Sequence, residues 1–111
     1  GANTWAVAVA DVITYAYIIT GKIMTVAFAV SATSVSGTAD NTLEITIPAG
    51  KTATKDMWNP VIVSDNGTRS VGLATVAAAG TVIAILKNDL ANWANSTNAT
   101  AVFGEITFEI N

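Results

Sequence analysis

Residues 42–50 read TLEITIPAG, and this stretch decides the fold class. Leu43, Ile45 and Ile47 are separated by single polar residues, which is the two-residue period of a half-buried strand. The run stops at Pro48-Ala49-Gly50, because proline and glycine punctuate regular structure. The segment therefore predicts an amphipathic β-strand that ends in a turn.

The same period recurs over residues 102–110, near the C-terminus. One face of this run is apolar and consists of Val102, Ile106, Phe108 and Ile110. Gly104 falls on that face, where a glycine marks a bulge or a close approach of another chain segment. Glu105 and Glu109 share the opposite face, which we interpret as a solvated face rather than a catalytic pair.

Residues 12–35 predict a long hairpin. Its first arm carries Ile13, Tyr15, Tyr17 and Ile19 on one face, and its return arm carries Met24, Val26, Phe28 and Val30. Thr20-Gly21-Lys22 forms the turn, since glycine tolerates a positive φ. The opposite face of the return arm is small, with Thr25, Ala27, Ala29 and Ser31. Alanine is depleted in ordinary strands, so we expect something to pack closely over this face.

Further strands are predicted over residues 5–9, 60–64, 69–77 and 81–87, and one helical turn over Asn88–Ala94. Asp65-Asn66-Gly67 favours a type I′ hairpin turn, and Ala79-Gly80 marks another turn. Many short strands separated by Gly, Asn and Pro are typical of a β-sandwich. We therefore predict an all-β fold: an antiparallel, jelly-roll-like β-sandwich of 7–9 strands, forming a single domain over residues 1–111. An immunoglobulin-like strand order stays open.

The chain is unusually poor in charge. Only 12% of its 111 residues are charged, where about 25% is ordinary. Hydroxyl and amide side chains can solubilise part of the surface, and contact with further copies of the chain can bury another part. We expect both, and hence a homo-oligomer. Residues 23–39 and 70–86 are uncharged, but these runs are shorter than the ~20 apolar residues of a spanning helix, so we expect no membrane insertion.

Composition also argues against most enzymes and cofactor proteins. The chain has no histidine, which is the commonest general base and metal ligand. It also has no cysteine, so a thiolate ligand or nucleophile is excluded. Its carboxylates are dispersed, whereas a glycosidase needs two facing each other. A net charge of −3 disfavours nucleic acid as a partner. We expect no enzymatic activity, no cofactor and no metal, although a calcium site assembled from separate loops stays open.

Aromatic and amide side chains are the candidates for ligand contact. Aromatic rings stack under sugar C–H groups while amides, carboxylates and guanidinium groups bind the hydroxyls. The candidate glycan-binding residues are Trp58, Asp65, Asn66, Arg69, Trp93 and Asn95. Their spacing does not show that they converge. The alternative is that the tryptophans anchor the core or an interface, where aromatic residues dominate.

A series of landmarks runs along nearly the whole chain. It consists of Trp5, Asp11-Val12, Tyr15-Ala16-Tyr17, Gly21-Lys22, Phe28, residues 35–38 (VSGT), residues 43–50 (LEITIPAG), residues 65–68 (DNGT), Gly80-Thr81, Trp93 and residues 104–110 (GEITFEI). In this order the landmarks resemble the small C-terminal β-sandwich domain of tailed-phage tail-fibre and other virion appendage proteins. The resemblance implies a virion structural protein on a tail fibre or other appendage, facing the exterior. It also implies a homotrimer that contacts host-surface glycans, and it brings no catalytic motif.

Composition and this resemblance together lead us to expect a non-enzymatic, homo-oligomeric adhesion domain; the resemblance implies that it belongs to a phage appendage and recognises host-surface glycans, through its loops. Two alternatives stay open. One is a purely architectural role in capsid decoration or fibre assembly. The other is a carbohydrate-binding module from a secreted bacterial protein.

Overall fold

Alternation of apolar and polar residues produces eight antiparallel strands in the described part of the chain. A computed structural model describes residues 3–111, so Gly1 and Ala2 of the predicted domain lie outside it. The strands are β1 (Asn3–Ala6), β2 (Val12–Thr20), β3 (Ile23–Gly37), β4 (Leu43–Thr46), β5 (Met57–Asp65), β6 (Thr68–Val76), β7 (Val82–Lys87) and β8 (Ser96–Glu109). Short 3₁₀ turns occupy Val9–Asp11 and Pro48–Gly50. The prediction of an all-β fold with 7–9 antiparallel strands is confirmed.

One sheet contains all eight strands, in the order β1-β3-β8-β5-β6-β7-β4, with β2 also paired to β3. The long strand β3 carries β2 and β1 end to end on one edge and β8 on the other. The register of β3 shifts between Val30 and Val35, where Ala32 adopts a φ of 59°. Because β1 and β4 contact each other, the sheet curls until it nearly closes, which is consistent with the predicted sandwich.

The core lies inside this curled sheet. Large members that are fully buried come from β3, β4, β7, β8 and the loop before β8: Trp93, Phe28, Phe108, Met24, Leu43, Ile83, Ile85 and Ile106. Gly104 lies directly opposite Phe28 on the inward face, and a Cβ there would meet Val61 Cγ1 at 2.5 Å. The predicted close approach at this glycine is confirmed, and the register through it is continuous rather than bulged.

Two predicted segments differ from the structure because aspartate side chains bend the chain. The first strand ends at Ala6, since the Ala8 N–H donates to Asp11 Oδ2 and starts a 3₁₀ turn. The helical turn predicted over Asn88–Ala94 is wrong. Leu90 adopts a φ of 59° there, and the Ala91 N–H donates to Asp89 Oδ1, so this segment is an irregular loop.

No helix in residues 3–111 has the length and apolar character needed to cross a membrane.

Candidate functional site

A polar cleft of ≈ 360 Å³ lies at the end of the sheet where β5 turns into β6. It is lined by Asp65, Thr68, Ser70, Lys87, Asn88 and Asp89. Lys87 Nζ lies 2.7 Å from Asp65 Oδ2, and both side chains are mostly shielded from solvent. Asp65 Oδ1 also accepts the Ala94 N–H at 3.0 Å. Both oxygens of Asp65 therefore bind donors of the chain itself, and they tie β5 to β7 and to the following loop.

The turn beside this cleft has the predicted chemistry. Asn66 and Gly67 both have positive φ values, 49° and 87°, as a type I′ turn requires. The Gly67 N–H donates to the Ala99 carbonyl, so β8 fixes the turn in place. Asn66 is exposed there, and Asn95 is exposed nearby with its amide Nδ2 3.4 Å from the Gly37 carbonyl oxygen.

Trp93 is a core residue, the alternative that the sequence left open. Its side chain is 1% exposed, and its indole N–H donates to the Ile85 carbonyl at 3.2 Å. Its backbone N–H donates to the Asp40 carbonyl at 2.9 Å. The polar residues around Trp93 in the sequence therefore form a loop whose backbone is bound to neighbouring segments while the indole fills the interior. No ring face is presented to a ligand.

Trp58 stands apart from the polar cleft. It lies near the start of β5, seven residues before Asp65, which places the two roughly 24 Å apart along the strand. The indole is 59% exposed and lies on the outward side of the sheet, opposite Thr75. Its neighbour Asn59 donates to the Glu105 carbonyl and ties this end of β5 to β8. Trp58 therefore presents more than half of its surface to solvent.

The six predicted ligand residues thus divide into separate places. Asp65 lines the cleft, with Asn66 and Asn95 exposed around it, while Trp93 is buried. Arg69 faces the outward side of the sheet instead, because it pairs with Ser64 in the β5–β6 hairpin. Its guanidinium carbon lies 5.8 Å from the centre of the Phe103 ring, a cation–π distance. The structure does not bring the six together as one glycan site.

The outward side of the sheet carries an uncharged row across five strands. Register partners place Thr14, Ala29, Phe103, Ile62 and Val71 side by side on β2, β3, β8, β5 and β6. Ile62 and Val71 are exposed. The small residues Thr25, Ala27, Ala29 and Ser31 are half-buried on the same side of β3. This row is therefore an uncharged part of the outward face, which also carries Arg69, Glu105 and Glu109.

An apolar cleft of ≈ 340 Å³ separates β2 from β4, where the sheet almost closes. It is lined by Trp5, Val7, Val12, Tyr15, Phe28, Val30, Glu44, Ile45 and Thr46. The Tyr15 hydroxyl donates to the Thr46 carbonyl at 2.8 Å and bridges the gap. Burial raises the pKa of this hydroxyl above its usual value of 10.0. The cleft suits apolar groups.

Most carboxylates in the described chain have structural hydrogen bonds. Asp11, Asp56 and Asp89 accept backbone N–H groups, and Glu109 accepts the Thr54 hydroxyl at 3.0 Å. Within residues 3–111, no three acidic residues are grouped as a metal site would need. Glu105 and Glu109 share the outward side, as predicted.

Sequence reasoning missed Lys87 and the exposure of β2. Lys87 continues the inward period of Ile83 and Ile85, and this spacing was the available signal for its place at the cleft. All nine residues of β2 are exposed, although several are large and apolar. The alternation in β2 carried no signal for this, because it fixes which side chains share a face but not whether another layer covers that face.

Comparisons with models of protein families, with curated proteins and with solved structures find no match for this chain.

Proposed function

We propose that this chain is a non-enzymatic structural domain that assembles with copies of itself, as a module of a phage tail fibre or similar virion appendage. The observation that carries the assembly is β2, a nine-residue strand that is exposed throughout and has no charged residue. Soluble monomers rarely leave a contiguous apolar surface of this kind uncovered, and such surfaces mark interaction sites. The virion setting is supported by the sequence resemblance alone.

The character of the surface supports an architectural role. The outward face and β2 together form a region poor in charge, and the chain has only thirteen charged residues, five basic and eight acidic. Most of the carboxylates bind backbone or hydroxyl donors, as described above. A surface of this kind suits burial against neighbouring copies more than acid–base chemistry.

Light scattering of the purified chain over a range of concentrations tests the assembly. We expect a mass above that of one chain, 11.4 kDa, that rises with concentration and reaches a plateau at a defined oligomer. The resemblance implies three chains. A mass of one chain at every concentration up to the millimolar range would refute the proposal.

Glycan recognition is a second function, and the 59% exposure of the Trp58 indole favours it. Stacking of a sugar needs the ring but not the indole N–H, so Trp58→Phe should retain binding in a glycan screen while Trp58→Ala loses it. Equal binding by both variants, or no ligand for the unmodified chain, would remove recognition through Trp58. Binding by a chain that stays monomeric would favour the alternative of a carbohydrate-binding module from a secreted bacterial protein.

A further inference from the structure

β2 is an edge strand whose register with β3 is irregular between Val12 and Thr14, and beyond that point it lacks the protection that natural edges carry. In the described chain it pairs with β3 only, and its other edge is unpaired. Its regular part, residues 14–20, contains no charged residue and no proline. Natural sheets block such edges with charge, proline, bulges or short length. The other edges of this sheet are shorter, since β1 and β4 have four residues each and β4 carries Glu44.

The turn that follows β2 fixes which backbone groups face the open edge. The two residues Gly21-Lys22 join β2 to β3, and Gly21 has a φ of 60°. In such a tight hairpin the flanking residues, here Thr20 and Ile23, form a hydrogen-bonded pair. Hydrogen-bonded and non-hydrogen-bonded pairs alternate along an antiparallel ladder. The backbone N–H and C=O groups of Tyr15, Tyr17 and Ile19 therefore point away from β3, towards the open edge.

We propose that β2 pairs antiparallel with β2 of a second copy, across a two-fold axis at Tyr17. This proposal rests on the self-assembly proposed above and specifies its contact. The register places Tyr17 opposite Tyr17 of the second copy and Tyr15 opposite Ile19. Both pairs, and the symmetric repeat of the second, have backbone groups that face the open edge. The backbone N–H and C=O groups of these three residues that face the open edge then all form intermolecular hydrogen bonds. The two sheets become continuous.

The side chains in this register are complementary. On the outward side, the small residue Ala16 lies opposite the large residue Ile18 of the second copy. Directly opposed residues in antiparallel strands share a face, so the gap above alanine receives the isoleucine. On the inward side, tyrosine meets tyrosine and isoleucine. No like charges meet in residues 14–20, because this segment has none.

The exposed area is of the order that a stable dimer needs. Tyr15 and Tyr17 are each about half exposed, which leaves roughly 100 Å² per ring open to solvent. Four such rings in a dimer account for about a third of the ~1,200 Å² at the lower end of stable interfaces. Ile18, which is 64% exposed and lies within the paired segment, and the open backbone edge add to this area.

Engineered cysteines test the register directly, because the chain contains none. Ala16 and Ile18 of the second copy form a non-hydrogen-bonded pair, with Cα atoms expected about 4.5 Å apart, within disulfide range. The double variant Ala16→Cys/Ile18→Cys should therefore form a covalent dimer under mild oxidation. The control Thr14→Cys/Ile18→Cys carries the same number of cysteines two residues out of register, with Cα atoms about 8 Å apart, and should stay uncrosslinked.

A charge-insertion pair tests the contact without any crosslink. Tyr17→Lys places two like charges at the two-fold axis, whereas Val71→Lys places a charge at a site of matching exposure, 48% against 49%, on β6. We expect Tyr17→Lys to weaken association at least tenfold in sedimentation or light scattering, while Val71→Lys leaves the mass at two chains. Far-UV circular dichroism checks that both variants are folded, and the cysteine test does not depend on either of them.

The outcomes separate this inference from the proposed function. Covalent dimers in Ala16→Cys/Ile18→Cys but not in Thr14→Cys/Ile18→Cys, together with dissociation by Tyr17→Lys but not by Val71→Lys, support pairing through β2. Three results would overturn the two-fold contact but leave self-assembly intact. They are an oligomer whose mass is unchanged by Tyr17→Lys, equal crosslinking in both cysteine variants, and a mass of three chains. A monomer at all concentrations overturns both.

Discussion

Truncation to alanine should lower the free energy of unfolding much more at one tryptophan of this chain, Trp93, than at another, Trp58. Trp93 is 1% exposed and Trp58 is 59% exposed, although polar residues surround Trp93 in the sequence. Trp93→Ala should therefore destabilise the fold strongly, whereas Trp58→Ala should remove an exposed ring at a smaller cost in stability. The comparison tests the assignment of Trp93 to the core and the choice of Trp58 as the exposed aromatic.

The magnitude follows from the area that each ring buries. A buried tryptophan withdraws roughly 200 Å² from water, worth about 5 kcal/mol at 25 cal/mol per Å², as an upper estimate. Measured Trp→Ala changes in cores cost about 3–5 kcal/mol, which also includes the cavity. Trp58 buries about two-fifths of its area, so its truncation should cost at most about 2 kcal/mol. For a chain of 111 residues, the unfolding entropy is about 0.23 kcal/mol per K. Trp93→Ala should then lower Tm by roughly 13–22 °C.

Urea unfolding followed by far-UV circular dichroism is the assay, because tryptophan fluorescence changes with the substitutions themselves. Each protein is measured at two concentrations, since self-association stabilises the folded state by mass action. Trp93→Phe provides a variant that should still fold. It keeps most of the ring but removes the donor to the Ile85 carbonyl, so it should cost about 1–3 kcal/mol.

Two results would refute the reasoning. One is a Trp93→Ala protein within about 1 kcal/mol of the unmodified chain, because a cavity of this size in a close-packed core has a larger effect. The other is a Trp58→Ala protein that is destabilised more than Trp93→Ala. Either result would mean that the indole of Trp93 does not occupy the interior.

Three further changes test the fold around the candidate surfaces. Gly104→Ala should cost about 1–3 kcal/mol in urea unfolding because its Cβ would overlap Val61, and an unchanged midpoint would contradict the close approach. The Tyr15 hydroxyl has a higher pKa in the folded chain than its usual 10.0, so the folded state keeps this proton longer and stability falls as the pH rises above about 10. Tyr15→Phe should flatten that part of the stability–pH curve, and an equally steep loss in the variant would argue against it. Asp65→Ala removes the partner of Lys87 and should cost about 1.5–3 kcal/mol in thermal unfolding. Asp65→Asn keeps an acceptor for the Ala94 N–H and should cost less, and equal losses in the two variants would mean that this hydrogen bond does not stabilise the fold.

Local patterns predicted the strands well because each depends on neighbours in sequence. The alternation of Leu43 and Ile45 placed β4, and Asn66-Gly67 specified a turn whose two positive φ values those residues adopt at low cost. Gly104 was expected to allow a close approach, and Val61 occupies the space beside it. In each case, the local conformation depends on a few residues that are adjacent in the sequence.

Burial of single residues in loops could not be predicted in the same way. Trp93 is held inside by the Asp40 and Ile85 carbonyls, and neither partner is marked as such in the sequence. The helical turn predicted around it fails for a related reason. Asp65 and Asp89 bind backbone N–H groups of the segment, and these local bonds compete with helical ones.

Whether the predicted ligand residues lie close together could not be predicted from the sequence. Their positions depend on where each residue lies along its strand and on which face of the sheet it lies, and residue composition reveals neither. Trp58 and Asp65 lie at opposite ends of one strand, and Arg69 points to the other side of the sheet from Asp65. Residues with suitable chemistry can therefore be close in sequence while the pairing of β5 with β6 places Trp58 and Arg69 on one face and Asp65 on the other.

The order of the strands in the sheet accounts for the exposure of β2. β2 has the alternation of an ordinary half-buried strand, with Tyr15, Tyr17 and Ile19 on its inward face, yet all nine of its residues are exposed. β1 and β2 share one edge of β3, and the Tyr15 hydroxyl of β2 donates to the Thr46 carbonyl of the short strand β4. An inward face without a full layer over it leaves apolar area and backbone hydrogen-bonding groups open together. A β-strand from another chain covers the apolar area and pairs with the backbone groups at the same time. An apolar, uncharged strand does so without burying an unpaired charge. β2 of a second copy has that composition, which makes self-pairing the simplest way to complete this sheet.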